Sequence, residues 1–141
     1  IRFLFVGNAE DQESKTIMKK LMLLNNVMHV SFSKEVHLYM ALAQIHLFLS
    51  LREGFGNVAI EAASFGIPTL AYNVVGVRDS VVDNVTGRKF EYKKTSAVTE
   101  YIFRIYHGEQ QFNKQASRSW VINNFSQEYV WKNFLKFLTE K

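Results

Sequence analysis

Apolar and polar positions follow two different periods along the first two thirds of the chain. Short apolar runs suited to buried strands lie at 3–6, 27–32, 45–49 and 69–72, with a further extended piece at 87–91. Segments with apolar residues at helical spacing lie at 13–24, 35–43 and 57–65, and a short helix is predicted at 79–83. Strands that alternate with helices predict an α/β fold, with a parallel sheet flanked by helices.

The last third of the chain is predicted to be helical. The helical pattern runs from residue 96 to the end and is interrupted near Gly108 and at Asn123-Asn124. Ser126 is a preferred N-cap residue and predicts the start of a final helix. With one proline and no linker, residues 1–141 are predicted to form a single domain. Because an apolar strand begins almost at the first residue, we expect this chain to be a segment of a larger protein.

Composition narrows the class of protein. The chain has 141 residues, 48% of them hydrophobic and 21% charged, which is typical of a soluble globular domain. It has no cysteine, which excludes disulfides and thiolate metal sites. Without a signal peptide or a long apolar run, we expect a cytoplasmic protein. The net charge is +4, but the basic residues are scattered, so nucleic acid is not an expected partner.

The most informative segment is residues 50–66, SLREGFGNVAIEAASFG. Glu53 and Glu61 are eight positions apart, and a Gly54-Phe55-Gly56 turn follows the first of them. The acidic pair therefore lies where a buried strand leads into a helix. In open α/β sheets, ligands bind in the crevice at the carboxyl ends of the strands.

The residue types in this segment suit a phosphorylated, hydroxyl-rich ligand. The helix that starts at Asn57 has free N–H groups and a positive dipole end, and Gly54 and Gly56 allow close backbone approach. Glu61, one turn into the helix, could accept hydrogen bonds from a ribose diol, and Glu53 from a second hydroxyl-bearing group. Together these features indicate a nucleotide sugar. Spacing alone also permits an ordinary turn with two solvated glutamates.

The segment resembles the E-x7-E signature of retaining GT-B glycosyltransferases of the family 4 group. The similarity continues in order through 27–32, 39–43, 48–50, 53–72, 75–79 and 83–87. The resemblance implies a Rossmann-like second, donor-binding lobe. It implies that Glu61 binds the nucleotide ribose and that Glu53, the proposed catalytic residue, contacts the donor sugar. It further implies that Gly54, Phe55, Gly56 and Asn57 offer backbone donors to the diphosphate and sugar, and that the loop at Ser33 passes the base.

The same resemblance implies a reaction and a set of partners. The expected reaction is metal-independent transfer from a nucleotide sugar, with UDP favoured over GDP, to an acceptor hydroxyl in bacterial surface polysaccharide synthesis. No metal ligands and no cofactor are expected. The acceptor lobe and the first β-α unit of the donor lobe are missing, so the isolated chain is expected to be inactive. A non-catalytic nucleotide-diphosphate-binding subunit that acts with a partner chain is the main alternative, and an epimerase is a weaker one.

Three further features leave alternatives open. His46 is interpreted as a hydrogen-bonded core or edge histidine rather than a ligand. Arg78 and Asp79 either cap a short helix, which is preferred, or line the sugar pocket. The last helix carries an apolar stripe, interpreted first as packing on the domain, second as contact with the missing lobe, and third, with its lysines, as contact with an anionic membrane at the inner face. The residues of the stripe are Trp131, Phe134, Leu135 and Leu138.

Overall fold

The two ends of the chain belong to different compact units. The structure, a computed structural model, describes residues 1–140. One unit comprises residues 1–41 and the other the residues from Leu42 onward. The expectation of a single nucleotide-sugar-binding domain stays a prediction.

The first unit is built on a pair of parallel strands. β1 (Phe3–Val6) pairs with β2 (Val27–Val30), and α1 (Gln12–Leu21) connects them. A crossover of this kind is required because parallel strands cannot be joined by a tight turn. α2 (Val36–Leu42) follows β2. The strand predicted over 27–32 therefore ends two residues early.

The second unit contains a three-stranded parallel sheet in the order β3-β4-β5. β3 is His46–Phe48, β4 is Thr69–Tyr72 and β5 is Gly87–Phe90, and α3 (Asn57–Ser64) joins the first two. Three helices complete the unit: α4 (Thr95–Tyr106), α5 (Lys114–Phe125) and α6 (Gln127–Thr139). β4 is central and buried along its whole length.

The two faces of β4 pack against different groups of residues. Ala71 belongs to an apolar cluster with Ala59 of α3, whereas Leu70 and Tyr72 belong to another with Val98 of α4. Alternate side chains of a strand point to opposite faces, so α3 and α4 cover the two sides of the sheet. The predicted α/β fold, with parallel strands flanked by helices, is confirmed.

Two predicted elements differ in the structure. The helix predicted over 79–83 is wrong; a single 3₁₀ turn lies earlier, at Val75–Val77. Asp83 instead forms a bridge with Gly87, and its carboxylate accepts the Lys89 backbone N–H at 2.6 Å. These interactions fix Asp83 in a non-helical conformation beside β5.

The second difference concerns the predicted break at Asn123-Asn124. α5 continues through it, because the Asn124 amide donates to the Trp120 carbonyl at 2.7 Å within the helix. The break comes at Ser126, whose hydroxyl accepts the Tyr129 N–H at 3.3 Å. Ser126 is the N-cap of α6, as predicted. The break predicted near Gly108 is also present, since α4 ends at Tyr106.

The apolar stripe of α6 does not pack on the second unit. Its four residues are each between 50% and 56% exposed. The preferred interpretation, packing on the domain, is therefore wrong for the described residues. An amphipathic pattern shows that a helix has an apolar face but does not identify what covers it. Contact with a second lobe and contact with anionic lipid stay predictions.

Candidate functional site

A cleft of about 440 Å³ opens where the three strands of the second unit end. Leu51, Arg52 and Glu53 line it from the loop after β3. The loops after β4 and β5 contribute the remaining residues, which are Asn73, Val74, Val75, Arg78 and Tyr92. The structure thus places Glu53 at the carboxyl edge of the sheet, as the sequence predicts, and adds two arginines and a tyrosine beside it.

Glu53 is held in the cleft by a close backbone contact. A methyl group added to Gly76 would overlap the Glu53 carbonyl oxygen, so the 3₁₀ turn lies directly against the loop after β3. Only a residue without a Cβ permits this approach. The contact sets the distance between Glu53 and the residues that follow β4, including Arg78.

A hydrogen bond to its backbone carbonyl also fixes the position of Arg78. The Lys89 ammonium donates to the Arg78 carbonyl at 3.2 Å and also to the Val81 carbonyl. No side-chain cap by Arg78 or Asp79 is present among residues 1–140. Arg78 is the C-cap residue of the 3₁₀ turn at Val75–Val77, where its backbone N–H donates to the Val75 carbonyl at 3.4 Å, and it also lines the cleft.

The Gly54-Phe55-Gly56 turn leads from Glu53 into α3. Gly56 is the N-cap residue, with φ +76° and ψ +47°. A Cβ at this position would lie 2.8 Å from the Ser80 hydroxyl and 2.9 Å from the Phe48 ring. No side chain in the described part of the chain caps α3, and the N–H groups of Asn57 and Val58 find no partner there. The start of α3 can therefore donate to an anion.

Phe55 is anchored outside the turn, on the C-terminal helices. Its ring is 5.8 Å from the ring of Phe125, the last residue of α5, and the Phe125 ring is 5.1 Å from Trp120. Phe55 itself is 40% exposed. The turn is therefore attached at its middle residue to the end of α5.

Glu61 and Ser33 lie outside the cleft. Glu61 is exposed on α3, one turn after Asn57, and does not line the cleft that contains Glu53. Ser33 lies in the first unit, in the loop before α2. Its hydroxyl accepts a hydrogen bond from the Glu35 N–H at 3.0 Å. The roles of both residues in ribose and base binding stay predictions.

Three polar residues that line the cleft beside Glu53 are not among those predicted from the sequence. Arg52 precedes Glu53, Asn73 directly follows β4, and Tyr92 follows β5 by two residues. The signal was present, since the carboxyl ends of parallel strands meet at one edge of a sheet. Applied to every predicted strand, it would have identified Asn73 and Tyr92.

His46 is a part-buried structural residue in β3. Its Nδ1 lies 3.1 Å from the Thr69 hydroxyl, and its ring stacks on Phe48 at 5.6 Å. Burial lowers the pKa of His46 to about 4. β3 is an edge strand of the three-stranded sheet, so the structure supports the interpretation of His46 as a hydrogen-bonded core or edge histidine.

Residues 1–140 contain no group of three or more histidine, aspartate or glutamate side chains placed to hold a metal ion. No helix among them is long and apolar enough to span a bilayer.

Comparison with known proteins identifies the family. The model of the glycosyl transferases group 1 family matches residues 1–120. The chain belongs to the glycosyl transferases group 1 family. It is also 30% identical over 139 residues to the capsular polysaccharide biosynthesis glycosyltransferase CapM of Staphylococcus aureus, a match that covers 94% of this chain and 36% of CapM.

Solved structures show the same fold. Anabaena HepE in complex with UDP matches all of this chain with a TM-score of 0.85 and 20% identity, over 41% of its own length. The lipopolysaccharide outer core galactosyltransferase WaaB matches 94% of this chain with a TM-score of 0.81 and 19% identity, over 39% of its length. This group 1 chain therefore has a glycosyltransferase fold and spans about two fifths of the length of CapM, HepE and WaaB.

Proposed function

We propose that this chain is the donor-binding lobe of a retaining, metal-independent glycosyltransferase. The whole enzyme would transfer a sugar from a nucleoside diphosphate to an acceptor hydroxyl, in bacterial surface polysaccharide synthesis. One observation carries the proposal. Glu53 lines a cleft at the carboxyl edge of the sheet and leads, through a glycine turn, into the uncapped start of α3. Membership of the group 1 family and the similarity to CapM support it.

The proposed roles follow from charge and position. Negative charge develops on the departing diphosphate, and backbone donors from Gly54 to Asn57 would stabilise it. Glu53 is the acid nearest the turn in the cleft, so we assign it to the donor sugar. Glu61 would accept the ribose hydroxyls one turn along α3, and the loop at Ser33 would pass the base.

A uridine nucleotide is the favoured donor. Anabaena HepE, whose fold this chain shares, was solved in complex with UDP. The acceptor lobe would come from outside this chain, because the matched relatives are more than twice its length. We therefore expect this chain to bind the donor and the isolated chain to catalyse no transfer.

Product analysis of the full-length protein tests this proposal. The protein is incubated with UDP-glucose, UDP-galactose and UDP-N-acetylglucosamine in the presence of a chelator, with water as the acceptor, and NMR follows the anomeric signals before mutarotation. Release of UDP with formation of the α-anomer from an α-linked donor would support a retaining, metal-independent transferase. Formation of the β-anomer, or turnover that stops on chelation, would contradict it.

A further inference from the structure

α5 runs antiparallel along α3 and contacts both of its ends. At the α3 C-terminus, Gly66 lies so close to Lys114 that an added Cβ would be 2.7 Å from the Lys114 Cβ. One turn later, the buried Ser117 hydroxyl donates to the Ala63 carbonyl at 3.0 Å. At the other end, Phe125 meets Phe55 just before α3 begins. α5 therefore contacts the chain at both the start and the end of α3.

The Phe55 contact differs from the others because it holds a turn rather than a helix. Phe55 is flanked by Gly54 and Gly56, which restrict the backbone least of all residues. A Cβ at Gly54 would meet nothing within 4 Å. An aromatic side chain in such a turn orders the backbone only if the ring has a partner. Phe125 is that partner. The Trp120 ring packs against the Phe125 ring, with their centroids 5.1 Å apart, in the edge-on arrangement that aromatic pairs favour.

We infer that Phe125 is a positioning residue for the turn from Gly54 to Asn57, which is proposed to bind the donor. Through the Phe55 ring, Phe125 holds Gly54 to Asn57 in the conformation that presents backbone donors to the diphosphate. It contacts no substrate itself. Its role rests on the proposed function, because a turn that binds no donor needs no such precision.

Hydrogen exchange of the full-length protein tests the positioning without any ligand. The Ala59 N–H donates to the Gly56 carbonyl of the turn at 2.9 Å, so its exchange reports on the order of the turn. Phe125→Leu keeps an apolar side chain but removes the ring, and the Ala59 amide should then exchange at least about fivefold faster. Phe125→Tyr retains the ring and should exchange like the wild type. Phe103→Leu, a matched change at an exposed aromatic residue of α4, should also leave the Ala59 amide unchanged.

A second variant covers the case in which Phe125→Leu fails to fold. Phe55→Leu removes the same ring pair from its exposed side and should accelerate exchange of the same Ala59 amide. If exchange at Ala59 is unchanged in the folded variant, the inference is overturned.

Affinity for UDP connects the positioning to the proposed function. The dissociation constant should rise at least about fivefold in Phe125→Leu and stay unchanged in Phe125→Tyr and Phe103→Leu. Faster exchange with unchanged UDP affinity would overturn the link to donor binding. If the wild type binds UDP in no condition, the proposed function fails, whereas the exchange result still decides whether Phe125 orders the turn.

Discussion

Gly76 lies against Glu53 so closely that a single methyl group on its Cα would overlap the Glu53 carbonyl oxygen. The two residues are 23 positions apart, in the loops after β4 and β3. Their contact joins the loop that carries the proposed catalytic glutamate to the loop that carries Arg78. The cleft therefore depends on a glycine that contributes no side chain to it.

The first prediction concerns this contact. Gly76→Ala should lower the free energy of unfolding by about 1–3 kcal/mol, because the added methyl must push backbone away from backbone. Urea denaturation measures the loss. Gly54→Ala is the matched control, since its added Cβ has open space around it. Equal stability of Gly76→Ala and Gly54→Ala would contradict the contact.

Glu53→Gln should separate nucleotide binding from turnover. The substitution removes the charge at the proposed donor-sugar position but leaves the backbone donors of the turn in place. We expect turnover of the full-length protein to fall by about a hundredfold or more, with UDP affinity changed by less than about threefold. Steady-state kinetics and calorimetry check the two parts. Glu109→Gln, in the exposed loop after α4, should change neither.

Ser117→Ala should weaken the attachment of α5 to α3. Ser117 is buried and donates to the Ala63 carbonyl, which also accepts the Gly66 N–H at 2.9 Å. Because that carbonyl keeps one partner, the expected loss in unfolding free energy is only about 1 kcal/mol. Ser119→Ala, in the same helix and without a side-chain hydrogen bond among residues 1–140, should be close to neutral. A loss as large in Ser119→Ala as in Ser117→Ala would remove the hydrogen bond as its cause.

The free energy of unfolding should decrease as the pH is lowered through a window set by His46. Burial lowers the pKa of His46 from 6.5 to about 4, so the folded protein keeps the imidazole neutral where the unfolded chain protonates it. The unfolded state binds more protons in this window. The contribution of His46 to the free energy of unfolding is therefore fully present above pH 6.5 and is lost as the pH falls from 6.5 to 4. The loss is at most about 3 kcal/mol.

Urea denaturation at pH 7 and pH 5 measures the His46 contribution. His46→Gln, which can still bond to the Thr69 hydroxyl, should show a smaller loss between the two values than the wild type. His37→Asn, at an exposed histidine, should retain the wild-type dependence. An unchanged dependence in His46→Gln would show that other groups cause it.

The sequence predicted elements well where local signals agree with the fold. α3 was predicted at 57–65 and lies at Asn57–Ser64, because the Gly54-Phe55-Gly56 turn starts it and Gly66, at φ +70°, follows it. The 3₁₀ turn at Val75–Val77 was missed. Two valines around a glycine carry no helical signal, and the turn forms because Gly76 fits under Glu53, a contact that no local pattern contains.

The candidate site was predictable in part for a similar reason. Glu53 could be placed at a strand end from the apolar run before it, and the structure puts it in the cleft. Phe55 was recognised only as a turn residue. Its partner Phe125 lies 70 residues away, and such a pairing follows from how α5 lies along α3 rather than from any motif.

Calorimetric titration of the full-length protein with UDP, GDP and ADP, repeated on Glu61→Ala, tests the central claim most directly. Glu100→Ala, which removes the same charge from an exposed site on α4, is the control. We predict that UDP binds and that Glu61→Ala raises its dissociation constant about tenfold or more, equivalent to about 1.4 kcal/mol, while Glu100→Ala does not. Binding of none of the three nucleotides, or equal affinity in wild type and Glu61→Ala, would contradict the assignment of this chain as the donor-binding lobe.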